Sequence, residues 1–69
     1  MQLSARNQLT GTVASVELGA VMAEVTVDVA GQQIVSAITR SSAERLGLAQ
    51  GQPVTVFIKA TEVILGVDD

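Results

Sequence analysis

An all-β domain with one short helix is what this chain predicts, and three observations lead there. Val, Ile and Thr supply 21 of the 69 residues, and β-branched side chains favour extended backbone over helix. Apolar and polar residues alternate with a period of two in several stretches, the mark of a strand with one buried face. Only Ser41 to Gly47 combines a helix-start signal with a helix-stop signal.

Residues from about Leu9 to Leu18 read as a first strand of uneven alternation, and Gly19 offers the turn after it. Val21, Ala23, Val25, Val27 and Val29 then alternate with Met22, Glu24, Thr26 and Asp28 in a second strand. Ala30-Gly31-Gln32 reads as a tight turn, with Gly31 free to take positive φ. A third strand follows from Gln33 to Ile38. In the helix, Ser41 and Glu44 have the spacing of a capping box, and Gly47 stands where a left-handed terminator belongs. Leu48 is expected to pack back on that helix, and Ala49 to Pro53 make a turn. Val54, Val56 and Ile58 alternate with Thr55, Phe57 and Lys59 in a fourth strand. Glu62 to Val67 reads as a fifth, followed at once by the acidic pair Asp68-Asp69. Three strands, a short helix and two strands fit the five-stranded OB-type barrel, whose helix sits between strands three and four. No linker, repeat or low-complexity tract appears, so residues 1–69 read as a single domain.

A domain this small buries a modest share of its surface and is marginal alone. The usual remedies are disulfides, a structural metal or self-association. Cys and His are both absent, which removes a disulfide framework and a soft-ligand zinc site. The carboxylates are scattered, without the spacing of a calcium loop. Self-association is left, and composition supports it: 48% of the residues are hydrophobic and 16% are charged, more apolar than a tiny monomer needs. Identical subunits in closed symmetry are the expected cover.

A net charge of −3, four basic residues and one aromatic, Phe57, argue against nucleic acid, which calls for a basic patch and stacking platforms. No apolar segment reaches membrane-spanning length, and the N-terminus lacks a charged-then-apolar signal pattern. The expected location is the cytoplasm. Catalysis has little to work with, since no His, no Cys and no suggestive carboxylate pair is available. The chain therefore reads as a non-enzyme.

Oxyanion binding needs other parts: hydrogen-bond donors, some positive charge and no nearby carboxylate. Ser4-Ala5-Arg6-Asn7 offers a hydroxyl, a guanidinium, an amide and successive backbone donors, although a polar lead-in to a strand looks the same. Lys59-Ala60-Thr61 joins the last two predicted strands. A lysine there is commonly just solvated, while Ala60 has no bulk to block close backbone approach. Arg40-Ser41-Ser42 opens the helix, where unpaired N–H groups attract anions, but Ser41 serves equally well as a cap. Arg40 reads as solvated or at an interface, and Arg45 as a complement to the helix dipole.

Three segments stand out in order along the chain: Ser4 to Leu9, Ala37-Ile38-Thr39-Arg40-Ser41-Ser42, and Phe57 to Gly66. Together they resemble the molybdate-binding Mop domain of the small single-domain molbindins, over nearly the whole length. The resemblance implies an oxyanion, molybdate or tungstate, bound between subunits as ligand, with no organic cofactor and no directly ligated metal. Carried over, it points to Ser4, Ala5, Arg6, Asn7, Lys59 and Ala60, with Ser41 arriving from a neighbouring chain. Thr61 and Ser42 flank these positions, and Gly19, Ala20 and Val21 are candidates for sites on symmetry axes, where small residues permit close backbone approach. It also implies a hexamer built as a trimer of dimers, and a role in molybdenum storage or homeostasis. The alternative is an OB-type interaction or regulatory module without its own anion. The absence of a further domain favours the free-standing binder.

Overall fold

The alternating valines of the second predicted strand become the centre of the fold. In the computed structural model, which describes residues 1–68, four antiparallel strands form one sheet in the order β3-β2-β1-β4. They are β1 (Asn7–Leu18), β2 (Met22–Val29), β3 (Gln32–Thr39) and β4 (Pro53–Ile58), with helix α1 (Arg40–Leu46) between the last two. Asp69, half of the acidic pair, lies outside the described residues. Val13, Val25 and Val27 are buried at the core, with Val16, Val29, Ile38, Leu48, Val54 and Val56 packed around them.

The uneven alternation of β1 has a structural cause. Its register against β2 shifts between Val13 and Ser15, so Ala14 is an extra residue, a β-bulge. Val13 and Val16, three apart, therefore both turn inward. At Gly11 an added Cβ would lie 2.7 Å from the Asp28 carbonyl oxygen, so the two strands approach too closely there for any side chain.

Val29 pairs with Gln32, which leaves Ala30 and Gly31 as a two-residue hairpin loop with φ of 49° and 83°. Two successive positive φ values define the type I′ turn, whose twist matches that of the strands it joins.

Helix α1 starts earlier than its serines suggest. Thr39, still extended at the end of β3, is the N-cap, and its Oγ1 accepts from the Ser42 N–H at 3.1 Å. The expected Ser41–Glu44 capping box is thus absent. The strand end itself delivers the cap, and Glu44 lies 3.7 Å from the Arg40 Nε instead. The C-terminus follows expectation: Gly47, at φ 64°, donates to Glu44, and Leu48 donates to Ala43 at 3.1 Å in a Schellman arrangement.

The fifth strand is not formed, and the sheet is open where the sequence predicts a closed five-stranded barrel. Ala60–Glu62 is a 3-10 turn, and the described residues from Val63 onward pair with no strand. Ile64, Leu65 and Val67 are 93%, 88% and 92% exposed. The segment leaves the body of the fold, so the radius of gyration is 13.1 Å. A compact chain of this length has about 11 Å. Strands β3 and β4 remain as free edges, and between them opens an apolar cleft of about 220 Å³.

Candidate functional site

Pairing of β1 with β4 decides what lies at the head of the chain. Asn7 stands opposite Ile58, and its side-chain amide donates to the Ile58 carbonyl at 3.1 Å. Arg6 precedes the one and Lys59 follows the other, so both cations leave the same end of the sheet. Two segments more than fifty residues apart in sequence thereby build one open hollow of about 250 Å³. It is lined by Ser4, Ala5, Arg6, Lys59, Ala60 and Thr61.

The local backbone is held in two ways. The Gln8 side-chain amide donates to the Ala5 carbonyl at 2.9 Å, tying the first segment back onto its own strand. The 3-10 turn closes the second, with the Glu62 N–H donating to the Lys59 carbonyl at 2.9 Å. Sequence reading misses Gln8, although an amide three residues from a bent segment is a usable signal. Asn7, a candidate ligand by sequence, has its amide committed to the Ile58 carbonyl.

Electrostatically the hollow is one-sided. None of its lining residues is acidic, and among the described residues neither Arg6 nor Lys59 forms an ion pair. Two like charges facing shared space repel unless a counter-ion joins them. Hydroxyls from Ser4 and Thr61 add donors without adding negative charge.

The other candidates gather elsewhere. Ala20, Val21 and Ser41 line a second hollow with Thr39, Arg40 and Glu44. Arg40 braces it: its backbone N–H donates to the Val21 carbonyl at 2.8 Å and its Nη1 to the Gly19 carbonyl at 3.2 Å. Ser42 accepts a 2.8 Å hydrogen bond from the Thr39 hydroxyl as part of the helix cap. This hollow carries the carboxylate of Glu44, four residues beyond Arg40 on the helix, so it lacks the all-donor character of the first. Within one chain the two hollows are separate sets of residues.

Among the described residues no group of three or more acidic side chains is placed to hold a metal ion. No helix among them is long and apolar enough to cross a membrane.

Known proteins resemble this chain in sequence and in fold. Molybdenum-pterin-binding protein 1 of Clostridium pasteurianum is 42% identical over 66 residues, spanning 94% of this chain and 97% of its own. A molybdate-binding protein from Sporomusa ovata superposes with a TM-score of 0.92 at 40% identity, covering 97% of this chain and 100% of that one. The cytoplasmic molybdate-binding protein ModG, in a molybdate-bound form, superposes at 0.91 with 49% identity, and the match takes in 99% of this chain and 49% of ModG. The TOBE domain matches residues 3–65, and the chain belongs to that family, with relatives named as molybdenum-pterin-binding and molybdate-binding proteins.

Proposed function

We propose that this chain is an intracellular molybdate- and tungstate-binding protein for storage or homeostasis, and not an enzyme. The hollow of Ser4, Ala5, Arg6, Lys59, Ala60 and Thr61 carries the reading, because its two cations share space without a carboxylate. A tetrahedral dianion matches that charge and takes the surrounding hydroxyl and backbone donors as partners. Relatives named for molybdate support the choice of ion, and ModG, described as cytoplasmic, supports the location.

Selectivity follows from the donor set. Molybdate is fully deprotonated at neutral pH, whereas phosphate usually keeps a proton that needs an acceptor. A hollow without Asp or Glu leaves that proton poorly paired and disfavours phosphate. Sulfate has the right charge but is smaller, so donors set for the larger ion bind it through longer, weaker bonds. Tungstate is nearly the same size as molybdate, and the two should compete.

The working unit is a homo-oligomer, a hexamer built as a trimer of dimers, with the anions at its seams. The exposed apolar segment Ile64 to Val67 supports this, since water contact there is unfavourable for a lone subunit. Ser41 lies outside the Arg6–Lys59 hollow, so it reaches that anion only from a neighbouring subunit with Ser42 beside it, while Gly19, Ala20 and Val21 remain candidates for separate sites on symmetry axes.

Isothermal titration with molybdate, tungstate, sulfate and phosphate tests the assignment. Wild type should bind the first two and prefer them to sulfate and phosphate. Arg6→Ala and Lys59→Ala should each weaken tungstate binding about tenfold or more, with strand content retained, as expected for a lost charged hydrogen bond. Unchanged affinity in both variants rejects the site, and a wild type indifferent to all four anions favours the interaction-module reading.

A further inference from the structure

We infer that Gln8 is a positioning residue for the oxyanion, setting the Ala5–Arg6 peptide so that its N–H faces the ion; this rests on the oxyanion reading above. The Gln8 side-chain amide donates to the Ala5 carbonyl at 2.9 Å. A trans peptide aims its C=O and N–H in opposite directions, and among the described residues no peptide is cis. Holding the Ala5 oxygen toward Gln8 therefore turns the Arg6 N–H the other way. Arg6 precedes β1, and among the described residues its N–H donates to no protein acceptor. Ala5 and Arg6 both line the hollow, so this unspent donor lies beside the guanidinium that meets the ion.

The opposite peptide orientation is chemically hostile to the ion. Turning that plane over replaces a donor with the carbonyl oxygen, and a dianion then meets partial negative charge. No ladder prevents this before β1, because pairing with β4 starts at Asn7. The two amides that follow Arg6 supply the restraint instead. Asn7 is pinned across the sheet to Ile58 at 3.1 Å, and Gln8, opposite Phe57, reaches back over Arg6 to Ala5. Arg6 is thus held through both neighbours. Gln8 is itself exposed and does not line the hollow, so it acts on the ion only through the peptide. A backbone donor fixed in this way also sharpens size selectivity, since it follows a smaller ion inward less readily than a long side chain does.

Tungstate titration and amide hydrogen exchange on the full chain test the role. Gln8→Leu keeps the bulk, removes the donor and should weaken tungstate binding about three- to tenfold, the usual range for one lost hydrogen bond. Sulfate, read by competition against tungstate, should lose less, so the preference for tungstate narrows. In wild type, tungstate should slow exchange of the Arg6 N–H. In Gln8→Leu that protection should be lost while the urea midpoint moves little. Gln8→Lys restores a donor of sufficient reach and should recover both the protection and the preference. A Gln8→Leu variant that binds and protects like wild type overturns the inference and spares the site, as does a wild type that binds tungstate without protecting Arg6. Equal losses for both anions with Arg6 still protected overturn it too, since a purely structural role gives that result. Gln8→Lys behaving like Gln8→Leu has the same consequence. A wild type that binds no tungstate overturns the inference and the site together. Should Gln8→Leu misfold by circular dichroism, Gln8→Ala takes its place.

Discussion

Asn7 and Ile58 face each other across β1 and β4, joined by a 3.1 Å bond from the Asn7 amide to the Ile58 carbonyl that spans 51 residues of sequence. Because each is one residue from a cation, that bond sets the spacing of Arg6 and Lys59. A strand pair otherwise frays at its last rung, where one neighbour is missing. Here the fraying end is the candidate site, so pinning it serves binding as well as stability.

Removing the pin should be felt in both quantities. Asn7→Ala should lower unfolding free energy by about 0.5–1.5 kcal/mol, the usual net worth of one hydrogen bond. Tungstate affinity should fall at the same time, although the amide is already committed to backbone. Urea unfolding and calorimetric titration on one preparation check the pair of effects.

Helix capping separates two hydroxyls that look alike in the sequence. Thr39→Ala removes the oxygen that receives the Ser42 N–H and should cost about 1 kcal/mol. Ser41→Ala removes no cap and should change stability by less than about 0.5 kcal/mol. Urea midpoints at constant slope distinguish the two variants.

The β2–β3 hairpin holds an alanine in a left-handed conformation, Ala30 at φ 49°. That geometry is unfavourable for an L-residue with a Cβ, and Asn tolerates it better. Ala30→Asn should therefore stabilise the fold by roughly 0.5–1 kcal/mol, the turn chemistry otherwise being unchanged. Thermal unfolding at fixed protein concentration reads this out.

Much of the fold is legible in the chain itself. The period-two run marks β2, and its members Ala23, Val25 and Val27 are buried as the pattern requires, whereas Val21, at the head of the run, lies outside the strand and is 72% exposed. Gly31 and Gly47 mark the hairpin and the helix end because both positions need a left-handed backbone. The candidate segments around Arg6 and Lys59 are also readable, but their meeting is not, since β1–β4 pairing is a long-range choice that local pattern leaves open. Ala14 hides because a bulge breaks alternation in the same way as a weak strand does. Thr39 is easily overlooked as a cap because it also ends β3, and one residue there serves two elements. The tail from Val63 to Val67 misleads most. Its residues carry a strand's composition, yet composition reports a need for burial and is silent about which surface meets it.

The most direct measurement is tungsten anomalous scattering from crystals grown with tungstate. Density is expected at the hollow between Arg6 and Lys59, within hydrogen-bonding distance of both side chains and of the Ala60 backbone. Ordered tungstate found only at places remote from those two cations would contradict the assignment.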